Sequence, residues 1–133
     1  MFIDTSAFVA IFRDESDAPH FRHRIQAAAI RLTSGLVRLE SCMVLAARLD
    51  RSPVSVENDF DLILREAVVA VVPITDVTGR LAVDAFERYG KGRGSKAQLN
   101  LADCMSYACA KEHGVPILFK GRDFGRTDLQ IAR

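Results

Sequence analysis

Four acids stand where this chain passes between strand and helix. Asp4 follows the apolar pair Phe2-Ile3, Glu40 lies in the early turns of a helix opened by Ser34-Gly35, Asp103 comes three residues after Asn100, and Asp123 follows the apolar run Val115-Pro116-Ile117-Leu118-Phe119. In a parallel α/β sheet, strand C-termini and helix N-termini share one edge, and ligands bind there. That rule selects these four of the 17 acids for one rim, whereas Asp59, Asp61, Glu66 and Glu112 fall mid-helix or near helix ends, as solvated groups do. Carboxylates within reach of one another repel unless a cation offsets them. A cluster without Cys or His suits a hard ion, Mg²⁺ or Mn²⁺ held by carboxylates and water, better than Zn²⁺. Such an ion lowers the pKa of a bound water and offsets charge on a phosphorane-like transition state, so phosphodiester hydrolysis would need no protein nucleophile.

Each acid also has a plainer account. The helix macrodipole favours an acid at an N-terminus by roughly 0.3–1 kcal/mol, and Asn100 with Asp103 has the form of a capping box. Thr5 and Ser6 read in two ways, as N-cap residues or as hydroxyls that orient a water or a phosphate at the helix N-terminus. His20 and His23 share a face at i, i+3, but no Cys or further His lies near them, so they read as a solvated face beside Arg22 and Arg24.

From Arg88 to Lys96 there are four basic residues, three glycines and no acid. Lys91, Arg93 and Lys96 are the candidate contacts for a phosphate backbone, which an acidic site would otherwise repel. A solvated, mobile turn accounts for the same residues. The segment follows a helix rather than a strand, so it is no dinucleotide fingerprint, and it lacks the spacing of a Walker loop. Tyr89 at its base is a candidate for stacking on a nucleobase.

The elements that must position these groups alternate strand with helix. After the opening strand, Ala7, Phe8, Ala10, Ile11 and Phe12 continue an apolar helical face, and a second helix fits Asp17 to Ala29. A strand near Arg31 to Thr33 leads to a longer helix with Leu36, Leu39, Met43, Ala46, Ala47 and Leu49 at core spacing. Ser52-Pro53 starts another helix that runs through Phe60, Leu62, Ile63 and Leu64. The uninterrupted run Ala67 to Val72 predicts a strand buried on both faces, ended by Pro73. Helices over Asp76 to Tyr89 and Leu101 to Glu112, a strand at Val115 to Phe119 and a short edge strand at Leu129 to Ala132 complete the chain. The predicted class is α/β, with a mostly parallel central sheet flanked by helices on both faces.

With 133 residues, 49% of them hydrophobic, the chain suits one core and hence a single domain over 1–133. A net charge of +1 excludes a broad electrostatic nucleic-acid binder, so a polyanion site must come from local arrangement. Cys42, Cys104 and Cys109 form no CxxC pair and read as buried free thiols of a cytoplasmic protein. The N-terminus has no basic region and carries Asp4 in its apolar run, so no signal peptide is expected. No apolar run approaches the roughly 20 residues that cross a bilayer.

Taken in order, these segments resemble the PIN-domain ribonucleases, and within them the VapC toxins of bacterial toxin–antitoxin pairs. The likeness spans essentially the whole chain: Phe2-Ile3-Asp4-Thr5-Ser6-Ala7, the helix with Glu40, Gly90-Lys91-Gly92-Arg93 leading to Asn100-Leu101-Ala102-Asp103-Cys104, and Leu118-Phe119-Lys120-Gly121-Arg122-Asp123-Phe124 with Thr127-Asp128-Leu129. The resemblance implies a Mg²⁺- or Mn²⁺-dependent endoribonuclease with the quartet Asp4, Glu40, Asp103 and Asp123. Asp4 and Asp103 are the direct ligands it implies, with Glu40 and Asp123 at a second site or acting through water. It also implies a homodimer and a small VapB-type antitoxin that blocks the site with its C-terminal segment. Arg122 stands where the family commonly has Asn or an acid, which leaves Asp123 matched and Asp128 as the alternative fourth acid. A phosphatase of the haloacid dehalogenase type also opens on a strand ending in Asp, but Ser6 occupies the place of its second Asp. The remaining alternative is a non-catalytic PIN-like module for RNA or protein contacts, which would not need all four acids.

Overall fold

The computed structural model describes residues 1–132. Its elements are β1 (Phe2–Ile3), α1 (Thr5–Phe12), α2 (Ala18–Ala27), β2 (Leu32–Ser34), α3 (Gly35–Leu49), α4 (Pro53–Glu66), β3 (Ala70–Val72), α5 (Asp76–Tyr89), α6 (Leu101–Glu112), β4 (Ile117–Leu118) and a 3₁₀ turn at Phe124–Arg126. The strands pair in the order β3-β2-β1-β4, parallel at every pair, with Phe2 in register with both Leu32 and Ile117. The predicted α/β architecture is thus what the chain forms.

β1 holds an inner position although it is only two residues long. Phe2 and Ile3 are wholly buried, and the backbone N–H groups of Phe2 and Asp4 donate to the carbonyls of Pro116 and Leu118 at 2.8 and 3.0 Å. Asp4 therefore leaves the sheet at its centre.

The helices start where short polar side chains satisfy free N–H groups. Ser34 accepts from Val37 N–H to begin α3, Ser52 accepts from Ser55 N–H to begin α4, and Thr75 with Thr78 forms a capping box on α5. Around the sheet lies one main apolar cluster containing Phe2, Ile3, Phe8, Phe60, Tyr107 and Ile117, with Phe8 and Phe60 ring centroids 4.8 Å apart. The three cysteines are buried and unpaired, as expected. No helix among the described residues is long and apolar enough to cross a membrane.

Two expectations are corrected. The run Ala67 to Val72 is not a strand buried on both faces: β3 is an edge strand, Ala70 and Val71 are exposed, and only Val69 and Val72 turn inward. Its first residues belong to the end of α4, where Ala67 N–H donates to Ile63 O and the chain reverses through Val68 at φ 52°. On α3 the core face is Val37, Ser41, Cys42 and Leu45, while Leu39 and Met43 are 55% and 61% exposed. Helical spacing reveals apolar stripes but does not say which one meets the sheet.

The ends of the sheet are also shorter than the apolar runs imply. β4 covers only Ile117–Leu118, and the predicted edge strand at Leu129 to Ala132 reduces to one parallel bridge between Ile131 and Ile117.

Candidate active site

Asp4 is the most constrained of the four acids. It caps α1 itself, because its Oδ2 accepts from Ser6 N–H at 3.1 Å and from the Ser6 hydroxyl at 2.7 Å. Thr5 and Ser6 are therefore the first residues inside the helix and not its caps. Ser106, on α6, donates to the other oxygen, Asp4 Oδ1, at 2.8 Å. Ser6 Oγ in turn accepts from Lys120 N–H at 2.9 Å, just beyond β4. A carboxylate that is 5% exposed is thus fixed from α1, α6 and the β4 exit.

Asp103 occupies the third position of α6 in the predicted capping box. Its N–H donates to Asn100 Oδ1 at 2.9 Å, and Asn100 N–H donates to Asp103 Oδ2 at 3.1 Å. Burial raises the Asp103 carboxyl, the Asn100 N–H opposes part of that, and the negative charges of Asp4, Glu40 and Asp123 raise it further, to about 6. All three of the other predicted acids thus act on Asp103. Glu40, in the second turn of α3, is pushed up by burial and by Asp4, and the Thr5 hydroxyl opposes part of the rise. That hydroxyl is itself buried with no partner of full hydrogen-bond geometry. Asp123, half-buried before the 3₁₀ turn, makes no side-chain capping bond.

Asp4, Thr5, Glu40 and Asp103 line one cleft of about 390 Å³ together with Glu15, Arg48 and Lys120. Asp123 is not among its lining residues. A larger hollow of about 610 Å³ lies where α3, α4 and the approach to β3 meet. Its Arg38 is tied to Asp61 at 2.6 Å and to Glu57 at 3.3 Å, so it offers no convergent acids.

Among the described residues, no three His, Cys, Asp or Glu side chains converge closely enough to cage an ion unaided. The ligand atoms the cleft offers are all hard oxygens, and Asp4 Oδ1, which accepts only from Ser106, keeps a lone-pair direction free. This fits Mg²⁺ or Mn²⁺, which are bound through one or two carboxylates with water completing the shell, and does not fit a closed Zn²⁺ site.

Asp128, the alternative fourth acid, belongs to a different cluster. Tyr107 Oη donates to it at 2.7 Å, Lys111 Nζ at 2.7 Å, and Arg88 lies at 3.4 Å. Burial alone would raise its pKa, but the Lys111 and Tyr107 hydrogen bonds and the Lys111 and Arg88 charges outweigh that and bring it to about 2.

None of Lys91, Arg93 and Lys96 lines the cleft. Gly92 and Gly94 turn the loop at φ 83° and 80°, where a side chain would be strained. Arg93 is paired with Glu87 at 2.9 Å, whereas the Lys91 and Lys96 side chains are exposed. Tyr89 is not free to stack on a base: Arg88 lies 4.7 Å over its ring and Tyr107 packs beside it. His20 and His23 remain exposed on α2, as expected.

Sequence reasoning missed Ser106, Lys120 and Arg48. Ser106 carried a usable signal, since it shares a helical face with Asp103 at i, i+3. Arg48 follows Glu40 by two turns on α3 and carried a similar one. Lys120 carried none, because its place depends on how β4 ends.

The PIN domain family matches residues 1–129. Ribonuclease VapC28 of Mycobacterium tuberculosis is 41% identical over 132 residues, covering 99% of this chain and 97% of the relative. Ribonuclease VapC30 of the same species is 43% identical over 129 residues, covering 97% and 95%. Among solved structures, Mycobacterium tuberculosis VapC20, a sarcin-ricin loop cleaving toxin, superposes with a TM-score of 0.77 at 19% identity over 99% of this chain and 98% of that one. A toxin–antitoxin complex from Klebsiella pneumoniae gives 0.70 at 16% identity, covering 96% and 92%. The chain belongs to the PIN-domain family, among the VapC ribonucleases.

Proposed function

We propose that this protein is a Mg²⁺- or Mn²⁺-dependent endoribonuclease that serves as the toxin of a type II toxin–antitoxin pair, with residues 1–133 acting as one nuclease domain. The observation that carries the reading is the one cleft that Asp4, Glu40 and Asp103 line together although they come from distant parts of the chain, and the raised carboxyl of Asp103 agrees with it. Its relatives' names, ribonucleases VapC28 and VapC30, support RNA as the substrate.

In this reading Asp4 and Asp103 hold the ion, and Glu40 and Asp123 act through water or a second site. When bound, the ion lowers the pKa of water and offsets charge on the transition state and leaving oxygen. Ser6 and Ser106 keep Asp4 turned into the cleft, and Asn100 orients Asp103 through the capping box. The Thr5 hydroxyl, beside Glu40 at the edge of the cleft, orients the attacking water or the scissile phosphate. Lys91, Arg93 and Lys96 meet the RNA backbone outside the cleft.

Leu39 and Met43, one turn apart on α3, leave an exposed apolar stripe that supports a homodimer. A VapB-type antitoxin would block the acid cleft. The cytoplasm is the compartment in which the three unpaired cysteines stay reduced.

The test is cleavage of single-stranded and structured RNA by the purified protein with Mg²⁺ and with chelator. Cleavage that needs Mg²⁺ is expected. Cleavage unaffected by chelation would remove the ion from the reading, and failure to cut any RNA would leave a PIN-like binding module.

A further inference from the structure

We propose that Arg48 is the cleft's own phosphate ligand, binding an RNA backbone phosphate beside the one that is cut. The inference rests on the nuclease reading and adds a substrate contact to it.

An ion held by Asp4 and Asp103 would offset charge at the phosphate that is cut, but a neighbouring backbone phosphate needs a further cation in the same pocket, because charges separated by more than about 10 Å are largely screened at ordinary ionic strength. The basic loop does not supply that cation, since none of Lys91, Arg93 and Lys96 lines the cleft. Two cations do. Lys120 is already committed, with its Nζ 3.0 Å from Asp17 and also bonded to Glu15. Arg48 is exposed, and among the described residues no carboxylate lies within ion-pair distance of it and no acceptor takes its N–H groups. It is the one unpaired cation in the lining.

Its place on α3 sets what it can reach. Glu40, Val44 and Arg48 follow one another at i, i+4, i+8 and all line the cleft. At 1.5 Å per residue Arg48 starts about 12 Å along the helix from Glu40. Helical side chains lean towards the N-terminus, so the Arg48 stem tilts back over Val44 towards the acids. Arg48 thus lines the same cleft as the acids without pairing with any of them. Its planar fork matches two phosphate oxygens at once, which an ammonium cannot do.

A cation in the last turn of a helix also complements the macrodipole. That role would change stability only, so the two accounts separate in kinetics. The experiment is steady-state cleavage of a single-stranded RNA with Mg²⁺ across a range of salt, using wild type, Arg48→Gln, Arg48→Lys and Arg65→Gln. Arg65 is an exposed cation in the last turn of α4 and lines the other hollow, so it controls for loss of one charge.

Arg48→Gln is expected to raise KM about tenfold with kcat little changed, the signature of lost uniform binding. Its dependence of log affinity on log salt should be shallower by about 0.7, the loss of one phosphate contact on a single strand. Arg48→Lys should restore the salt slope and only part of KM, and Arg65→Gln should match wild type. The stabilisation conferred by Mn²⁺ on Arg48→Gln should equal that of wild type. An Arg48→Gln protein with unchanged KM and salt slope overturns this inference while leaving the nuclease reading standing. A loss confined to kcat, together with a smaller Mn²⁺ effect, also overturns it, because Arg48 would then act on the acids. RNA left uncut by wild type overturns both.

Discussion

Ser106 Oγ donates to Asp4 Oδ1 at 2.8 Å, joining α6 to the exit of β1 across 102 positions of the chain. The bond is buried and leaves the Asp4 carboxylate with one defined orientation relative to Asp103, which lies one turn earlier on the same helix. Ser106→Ala should therefore lower metal affinity or activity by roughly 10- to 100-fold, as the loss of partners that orient a ligand does. Stability should fall by roughly 1.5–3 kcal/mol, the worth of a hydrogen bond to a charged group. Mn²⁺ titration and kcat measured on the same protein check this, and Ser106→Thr, which keeps the hydroxyl, should recover most of the loss. Unaltered kcat and Mn²⁺ affinity in Ser106→Ala would leave the bond a purely structural one.

Asp128 is held by Lys111, Tyr107 and Arg88 and is not among the residues that line the cleft. Asp128→Asn should lower Tm by about 3 °C, the shift that roughly 1 kcal/mol produces in a domain of this size, and leave kcat near wild type. Because its folded pKa lies below the ordinary value, its contribution to stability is present above the unfolded pKa of 3.8 and is lost as pH falls towards about 2. An inactive but stable Asp128→Asn would move the fourth acid from Asp123 to Asp128.

Asp103 has the opposite sign. A carboxyl near 6 in the fold against 3.8 unfolded holds its proton more tightly when folded, so stability present at low pH is lost as pH rises through about 6. In chelator, Asp103→Asn should be at least as stable as wild type at about pH 7, with the difference vanishing below about pH 4. Urea unfolding across that range reads it directly. A variant less stable than wild type at neutral pH would show that the capping box outweighs the repulsion.

Val68 turns the chain at φ 52° while 74% exposed, so it takes a left-handed conformation with no packing to compensate. A β-branched residue is disfavoured there. Val68→Gly should stabilise the protein by about 1 kcal/mol, measurable as a higher urea midpoint with an unchanged m-value. A destabilised variant would mean that Val68 is covered in solution.

The same turn shows where sequence reasoning stopped. Asp4 was legible because two apolar residues running straight into a carboxylate can hardly be other than a buried strand ending at the rim. The Asn100–Asp103 capping box was legible because its bonds span only three residues. The run Ala67 to Val72 was misread because half of it closes a helix, a distinction set by hydrogen bonds to Ile63 and Leu64 that hydropathy does not record. The core face of α3 was misread for a related reason: Leu39 and Met43 are as apolar as the residues that do face inward. The Ser106 contact and the pairing of Lys120 with Glu15 and Asp17 join segments far apart in the chain, and no local pattern announces them.

The central claim is that Asp4 and Asp103 together hold a divalent ion. It is tested most directly by thermal unfolding of wild type, Asp103→Asn and Asp128→Asn over increasing Mn²⁺. A ligand at 100 times its Kd stabilises the native state by about 2.7 kcal/mol, so the Tm of wild type and of Asp128→Asn should climb with Mn²⁺ while that of Asp103→Asn stays nearly flat. Equal shifts in wild type and Asp103→Asn would contradict the account.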